Sequence, residues 1–120
     1  MAVRAVRGAT QVDANDSGAI LDATTELVTE VMSRNGLSTD DVISVLFTAT
    51  ADLNAEFPAL AARKLGFQEV PLLCCMEINV PGGLPRVVRL LMHIETDRPR
   101  SAMQHAYLRG AAALRLDIAQ

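Results

Sequence analysis

Residues 74–96 read CCMEINVPGGLPRVVRLLMHIET, two apolar arms joined by PGGLP, with Glu77 on one arm and Arg86 and Arg89 on the other. Apolar and β-branched runs bounded by Gly and Pro are the pattern of a β-hairpin. The stretch therefore predicts a strand within EVPLLCCMEINV, a tight turn, and a return strand within RVVRLLMHIET. Side chains alternate between the faces of a strand, so Arg86 and Arg89 point opposite ways. If one arginine and Glu77 face a protected concavity they make a charged pocket, and if not they are solvated ends of a hairpin.

Upstream, LSTDDVISVLFTAT opens with Ser38 and Asp41 in capping-box spacing, a single turn, and becomes the β-branched run of a buried strand ending near Thr50. ADLNAE is polar loop. Pro58 suits a first helical position and disfavours a helical Phe57, which predicts a short helix through Leu65 to Gly66 with Arg63 near its end. At the N-terminus, AVRAVRGATQV alternates as a strand ending at Gly8, with Val3, Ala5 and Arg7 on one face and Arg4 and Val6 on the other. From Asp16 or Ser17, Ile20, Thr24, Leu27, Val28 and Val31 form a helical stripe that stops at Asn35-Gly36. SAMQHAYLRGAAALR has helical composition, with Gly110 either inside the helix or ending it before a short strand or tail. Alternating elements in so short a chain give an α/β class of α+β character: one domain over 1–120, a mixed sheet with helices on one face.

Composition narrows the function. A chain of 120 residues that is 50% hydrophobic cannot hide all its apolar surface alone, which implies a subunit interface. Net charge is -3 and the basic residues are dispersed, so the footprint of a nucleic-acid binder is missing. Aromatics at 3% with no Trp also deny single strands a stacking platform. Lys64 is the sole lysine among eleven basic residues, and arginine is the side chain that grips carboxylates in a bidentate fork. Adjacent Cys74 and Cys75 point apart on a strand and do not bridge, which fits a reducing cytoplasm. No apolar run reaches the length of a membrane span, and MAVRAVRGAT lacks the apolar core of a secretory leader.

The usual catalytic constellations fail. The sequence has no G-x-S-x-G, P-loop, G-x-G-x-x-G, H-E-x-x-H or C-x-x-C pattern. Nothing in the sequence marks His93 or His105 as a catalytic base, and no base stands beside Cys74 in the sequence. What remains is positional: Arg7 on a first strand, Arg63 late on a short helix, Glu77 at a strand end and Arg89 on the return strand. Taken singly, each is better read as a solvated strand end or surface ion pair, because most Arg and Glu are exposed.

Four segments in order, VRGAT at 6–10, TATADLNAEFPALAAR at 48–63, CCMEINVPGGLPRVVR at 74–89 and HAYLRGAAALR at 105–115, resemble the monofunctional chorismate mutases of the Bacillus type over nearly the whole chain. The resemblance implies a homotrimer forming a pseudo-α/β-barrel, with sites at subunit interfaces that turn chorismate into prephenate on the path to phenylalanine and tyrosine. It implies no metal and no cofactor, because the reaction is an intramolecular Claisen rearrangement. Such an enzyme must hold a flexible dianion in its compact conformer and stabilise charge growing on the breaking ether oxygen. By resemblance Arg7 binds a substrate carboxylate and Arg89 reaches the ether oxygen and a carboxylate. Glu77 accepts from the ring hydroxyl with Cys74 nearby, and Tyr107 donates to a carboxylate. The strand of Leu73, Cys74, Cys75, Met76 and Glu77 lines the pocket, while Phe57, Arg63 and Arg115 come from or near the neighbouring subunit. Arg4 and Arg86 fall outside this set and are expected to be solvated.

Leu60 stands where the family often has a lysine, Leu73 where a polar residue can occur, and Pro81 and Pro85 flank the Gly82-Gly83 turn. A regular strand sends Cys74 and Glu77 to opposite faces, so the strand bulges there or one of the two is not a ligand. The competing class is a non-catalytic trimeric module that senses a small carboxylate; it needs Arg7 but has no use for Glu77 and Arg89 aligned together.

Overall fold

The computed structural model describes residues 1–114. One five-stranded mixed sheet carries the chain, built from β1 (Ala2–Gln11), β2 (Val42–Ala49), β3 (Leu72–Met76), β4 (Val87–Thr96) and the two-residue β5 (Ala106–Tyr107), in the order β3-β2-β4-β1-β5. Two α-helices, α1 (Ser17–Arg34) and α2 (Ala59–Lys64), accompany it, with 3-10 turns at Thr39–Asp41, Arg100–Ala102 and Arg109–Leu114.

The helix α1 begins where Asp16 accepts the Ala19 backbone N–H at 2.7 Å and ends at the buried Asn35, followed by Gly36 with φ of 59°. Its buried side is Ile20, Ala23, Thr24, Leu27, Val28 and Val31, the expected stripe, packed over Val6, Phe47, Val88, Leu90, Met92 and Ile94. A Cβ on Gly8 would lie 3.1 Å from Leu27 and 3.3 Å from Leu90, so the missing side chain there lets α1 lie close on β1. The first strand does not stop at this glycine: it pairs antiparallel with β4 through Gln11. The glycine serves packing rather than termination.

The hairpin expected at residues 74–96 does not form. β2 lies between the two arms, parallel to β3 and antiparallel to β4. A strand as apolar as VISVLFTA loses ladder partners if left at an edge. The shorter, more exposed β3 takes that edge instead, reached by the crossover through α2 that parallel pairing requires. Residues 77–86 therefore bridge the end of β2 rather than closing a tight turn.

The C-terminal segment also departs from its helical composition. Asn35 donates to the Gln104 carbonyl at 2.9 Å and accepts the Gln104 N–H at 2.8 Å, while Arg34 donates to the His105 carbonyl at 3.0 Å. These tertiary bonds hold the chain extended, and Ala106 and Tyr107 add to β1 in parallel. Opposite the helices the sheet is open: Val3, Leu46 and Leu73 are 60%, 37% and 57% exposed.

Candidate active site

Cross-strand pairing puts the polar residues on the open face. Arg7 pairs with Leu91, while Ala9 and Thr48 both pair with Arg89 from either side, and Ala9 also pairs with Tyr107. Directly paired residues share a face, so Arg7, Thr48, Arg89 and Tyr107 stand together. Glu77 follows β3, its N–H donating to the Ala49 carbonyl at 2.9 Å, so the alternation persists one residue beyond the strand. The result is a cavity of about 300 Å³ lined by Arg7, Leu46, Thr48, Glu77, Arg89 and Tyr107.

Glu77 is the hinge of this geometry. Thr48 Oγ1 donates to its Oε1 at 2.5 Å, and Arg89 Nε stands 3.2 Å from the same oxygen. The second contact is an ion pair without the alignment of a hydrogen bond. Nε of Arg89 is buried, and among the described residues nothing satisfies its N–H. The Arg89 side chain as a whole is 41% exposed, so the guanidinium beyond this buried atom is open to an oxygen from a ligand. Glu77 and Arg89 also line a second cavity of about 480 Å³, under residues 77–85 and beside Asp52 and Leu114, so the pair forms a wall between the two.

The other expected residues lie elsewhere in the subunit. β3 pairs with β2 without a bulge, which leaves Cys74 on the helix side against the core and Cys75, paired with Thr48, on the face of Glu77. Phe57, 68% exposed, meets Cys74, Cys75 and Met76 in a groove of about 340 Å³ along the edge of β3. Leu73 is exposed on the open face, and Arg63 is exposed on α2 and does not line the 300 Å³ cavity. Arg115 lies outside the described residues. Both cysteines are free thiols.

Arg86 and Arg4 are not simply solvated. Arg86 is half-buried with φ of 54°, and its Nε donates to the Val12 carbonyl at 2.9 Å; Arg4 Nε donates to the Arg98 carbonyl at 3.3 Å. Strand parity gives the face of Arg4, but Arg86 precedes β4, and parity says nothing about backbone partners from other segments. Thr48 went unnoticed in the sequence. Its signal is a hydroxyl at the end of the apolar run VISVLF, with the parity of Leu46.

Segment 52–57 is clamped to the start of α1. Asn15 Oδ1 accepts the Asn54 and Ala55 N–H groups, and Ser17 donates to Glu56 at 2.9 Å. The Glu56 carboxyl is held below its ordinary value, first by the Phe57 backbone N–H, then by the Ser17 hydroxyl, with Lys64 adding a weaker attraction.

The family model for chorismate mutase type I matches residues 3–118. The chain is 45% identical to the chorismate mutase AroH of Thermus thermophilus over 97% of its length and 96% of that protein. It is 40% identical to the chorismate mutase AroH of Bacillus subtilis over 98% of its length and 94% of that protein. Among solved structures, a chorismate mutase from Clostridium thermocellum superposes with a TM-score of 0.90 at 45% identity, covering 91% of this chain and 97% of that one. Among the described residues no helix is long and apolar enough to cross a membrane.

Proposed function

The chain belongs to the type I chorismate mutase family, and from that premise we propose how this chorismate mutase works: a single domain binds the chorismate dianion on the open face of the sheet and lowers the barrier to prephenate with charge already in place. The observation that carries the reading is the partly exposed Arg89 guanidinium, 3.2 Å from the Glu77 carboxylate in a cavity that Arg7 and Tyr107 also line. The rearrangement transfers no proton to the protein and needs no nucleophile. Its demands are a compact substrate conformer and stabilisation of negative charge on the ether oxygen as that bond breaks.

Arg7, on the same face, takes a substrate carboxylate. Arg89 meets the ether oxygen and a neighbouring carboxylate, where a preorganised donor is worth most because its bond strengthens as charge develops. Glu77 accepts the ring hydroxyl through the oxygen that Thr48 does not occupy. Tyr107, buried at the cavity wall, donates to a carboxylate. Cys75 and Leu73, on the open face, shape the side near β3, and Phe57, Arg63 and Arg115 close the site across subunits.

The open face supports a homotrimer in which each site forms at an interface, since exposed Leu46 and Leu73 adjoin the polar cavity. The same reading places the enzyme in the cytoplasm, on the path to phenylalanine and tyrosine, without metal or cofactor. A carboxylate sensor of the same fold finds no support among the relatives named above.

Replacing Arg89 with citrulline, its neutral isostere, tests the assignment. The expected fall in kcat is at least ~10²-fold, the scale of removing one preorganised charge donor. Unchanged kcat would refute the role.

A further inference from the structure

Arg89 enters the cavity from the first turns of β4, three residues after Arg86, a non-glycine residue in the left-handed region at φ of 54°. Such a conformation persists only where the surroundings over-determine it. Here they do so from both flanks of the sheet. From the β2 side, the Asp52 carboxylate accepts the Arg86 N–H through both oxygens, at 3.2 and 3.1 Å, and takes the Thr50 hydroxyl at 2.5 Å. Thr50 Oγ1 in turn accepts the Val87 N–H at 3.0 Å. From the β1 side, Val12 N–H donates to the Arg86 carbonyl at 2.7 Å, and Gln11 donates to the Pro85 carbonyl at 3.0 Å.

We propose that Asp52, acting through Thr50 and the backbone of Arg86 and Val87, is a positioning residue that sets where Arg89 presents its guanidinium. The inference rests on the reading of Arg89 given above. The physical case is one of leverage. β4 begins at Val87, whose N–H is satisfied by the Thr50 hydroxyl while its carbonyl accepts the Thr50 N–H at 3.0 Å, so the hydroxyl and backbone of Thr50 together fix its entry. If the carboxylate is lost, the Arg86 N–H and the Thr50 hydroxyl lose their shared acceptor, and the left-handed residue keeps only its restraints from the β1 side. The start of β4 can then relax, and Arg89 shifts against an ether oxygen whose stabilisation depends on distance. Small misplacements cost rate out of proportion to binding.

The test is a double-mutant cycle on the full chain with chorismate as probe, comparing Asp52→Ala, Arg89→Lys and the pair. Asp52→Ala is expected to lower kcat about tenfold with KM moved less than about threefold, and to cost less than about threefold once Arg89 is already lysine. A purely structural role would give the same loss in both backgrounds, which would overturn the inference, as would an unchanged kcat in folded Asp52→Ala. If Asp52→Ala does not fold, Thr50→Val, which deletes the acceptor of the Val87 N–H, carries the same comparison. An Arg89→Lys enzyme of full activity removes the underlying reading as well, whereas a crippled Arg89→Lys beside a normal Asp52→Ala removes only this one.

Discussion

Arg89 Nε lies 3.2 Å from Glu77 Oε1 although the strands that bring them there never pair with each other. β2 runs between them and supplies Thr48, whose hydroxyl donates to that same oxygen. Because Oε1 carries both contacts, the other carboxylate oxygen is left for substrate. An isolated arginine–carboxylate pair at half-exposed positions contributes little to stability. Its value here is orientation.

Thr48 should therefore matter to catalysis beyond its bulk. Thr48→Val keeps the shape and removes the donor, and the expected result is a fall in kcat/KM of about tenfold, the scale of one hydrogen bond to a charged group. Thr48→Ser should recover most of it. Equal activity in the Val and Thr enzymes would show that Glu77 needs no such support.

Leu46 lies in the middle of the open face, paired with Leu73 on one side and Leu91 on the other. Burying a leucine is worth about 1.5–3 kcal/mol, and a carboxylate in its place opposes association instead. Sedimentation should find a trimer for the native chain and smaller species for Leu46→Asp, with turnover lost alongside assembly. A native chain that sediments as a stable monomer and still turns over chorismate would remove the interface sites.

Glu56 gives a stability prediction with a definite sign. Its carboxyl titrates below the ordinary 4.5 in the folded protein, held down first by the Phe57 N–H. Its contribution is therefore present above the unfolded value and is lost as pH falls through the lower folded value. Glu56→Gln should melt below the native protein near neutral pH, with the two melting temperatures converging in acid. The difference will be small, because solvent screens a carboxylate at the surface. A gap that widened in acid would contradict the assignment.

The face assignments were legible in the sequence because strand alternation is local: Arg7 and Val6 point where their parity says, and the α1 stripe is the one its spacing predicts. Strand order was not. A Gly- and Pro-rich link between two apolar arms reads the same whether they pair or flank a third strand, and the difference lies in the non-local preference of β2 for two neighbours. For the same reason local pattern does not show that Arg86 is held, since its restraints come from Val12 and Asp52, remote in sequence. The C-terminal segment failed as a helix because the end of α1 holds it extended, a tertiary effect that overrides composition. Four of the expected site residues, Arg7, Glu77, Arg89 and Tyr107, meet in one cavity; Leu73, Cys74, Cys75, Met76, Phe57 and Arg63 do not line it within one subunit.

Since no proton moves in the rearrangement, kcat should be flat across the neutral range. A bell centred on an ordinary histidine value would mean that His93 or His105 takes part in chemistry this account denies them.

The most direct test is the disappearance of chorismate absorbance with the purified native chain and with Arg89→Ala, in the presence of a chelator and without added cofactor. The native chain is expected to turn chorismate over to prephenate, with near-complete loss in the variant. Equal turnover by the two proteins would contradict the claim that a preorganised charge at Arg89 drives the rearrangement.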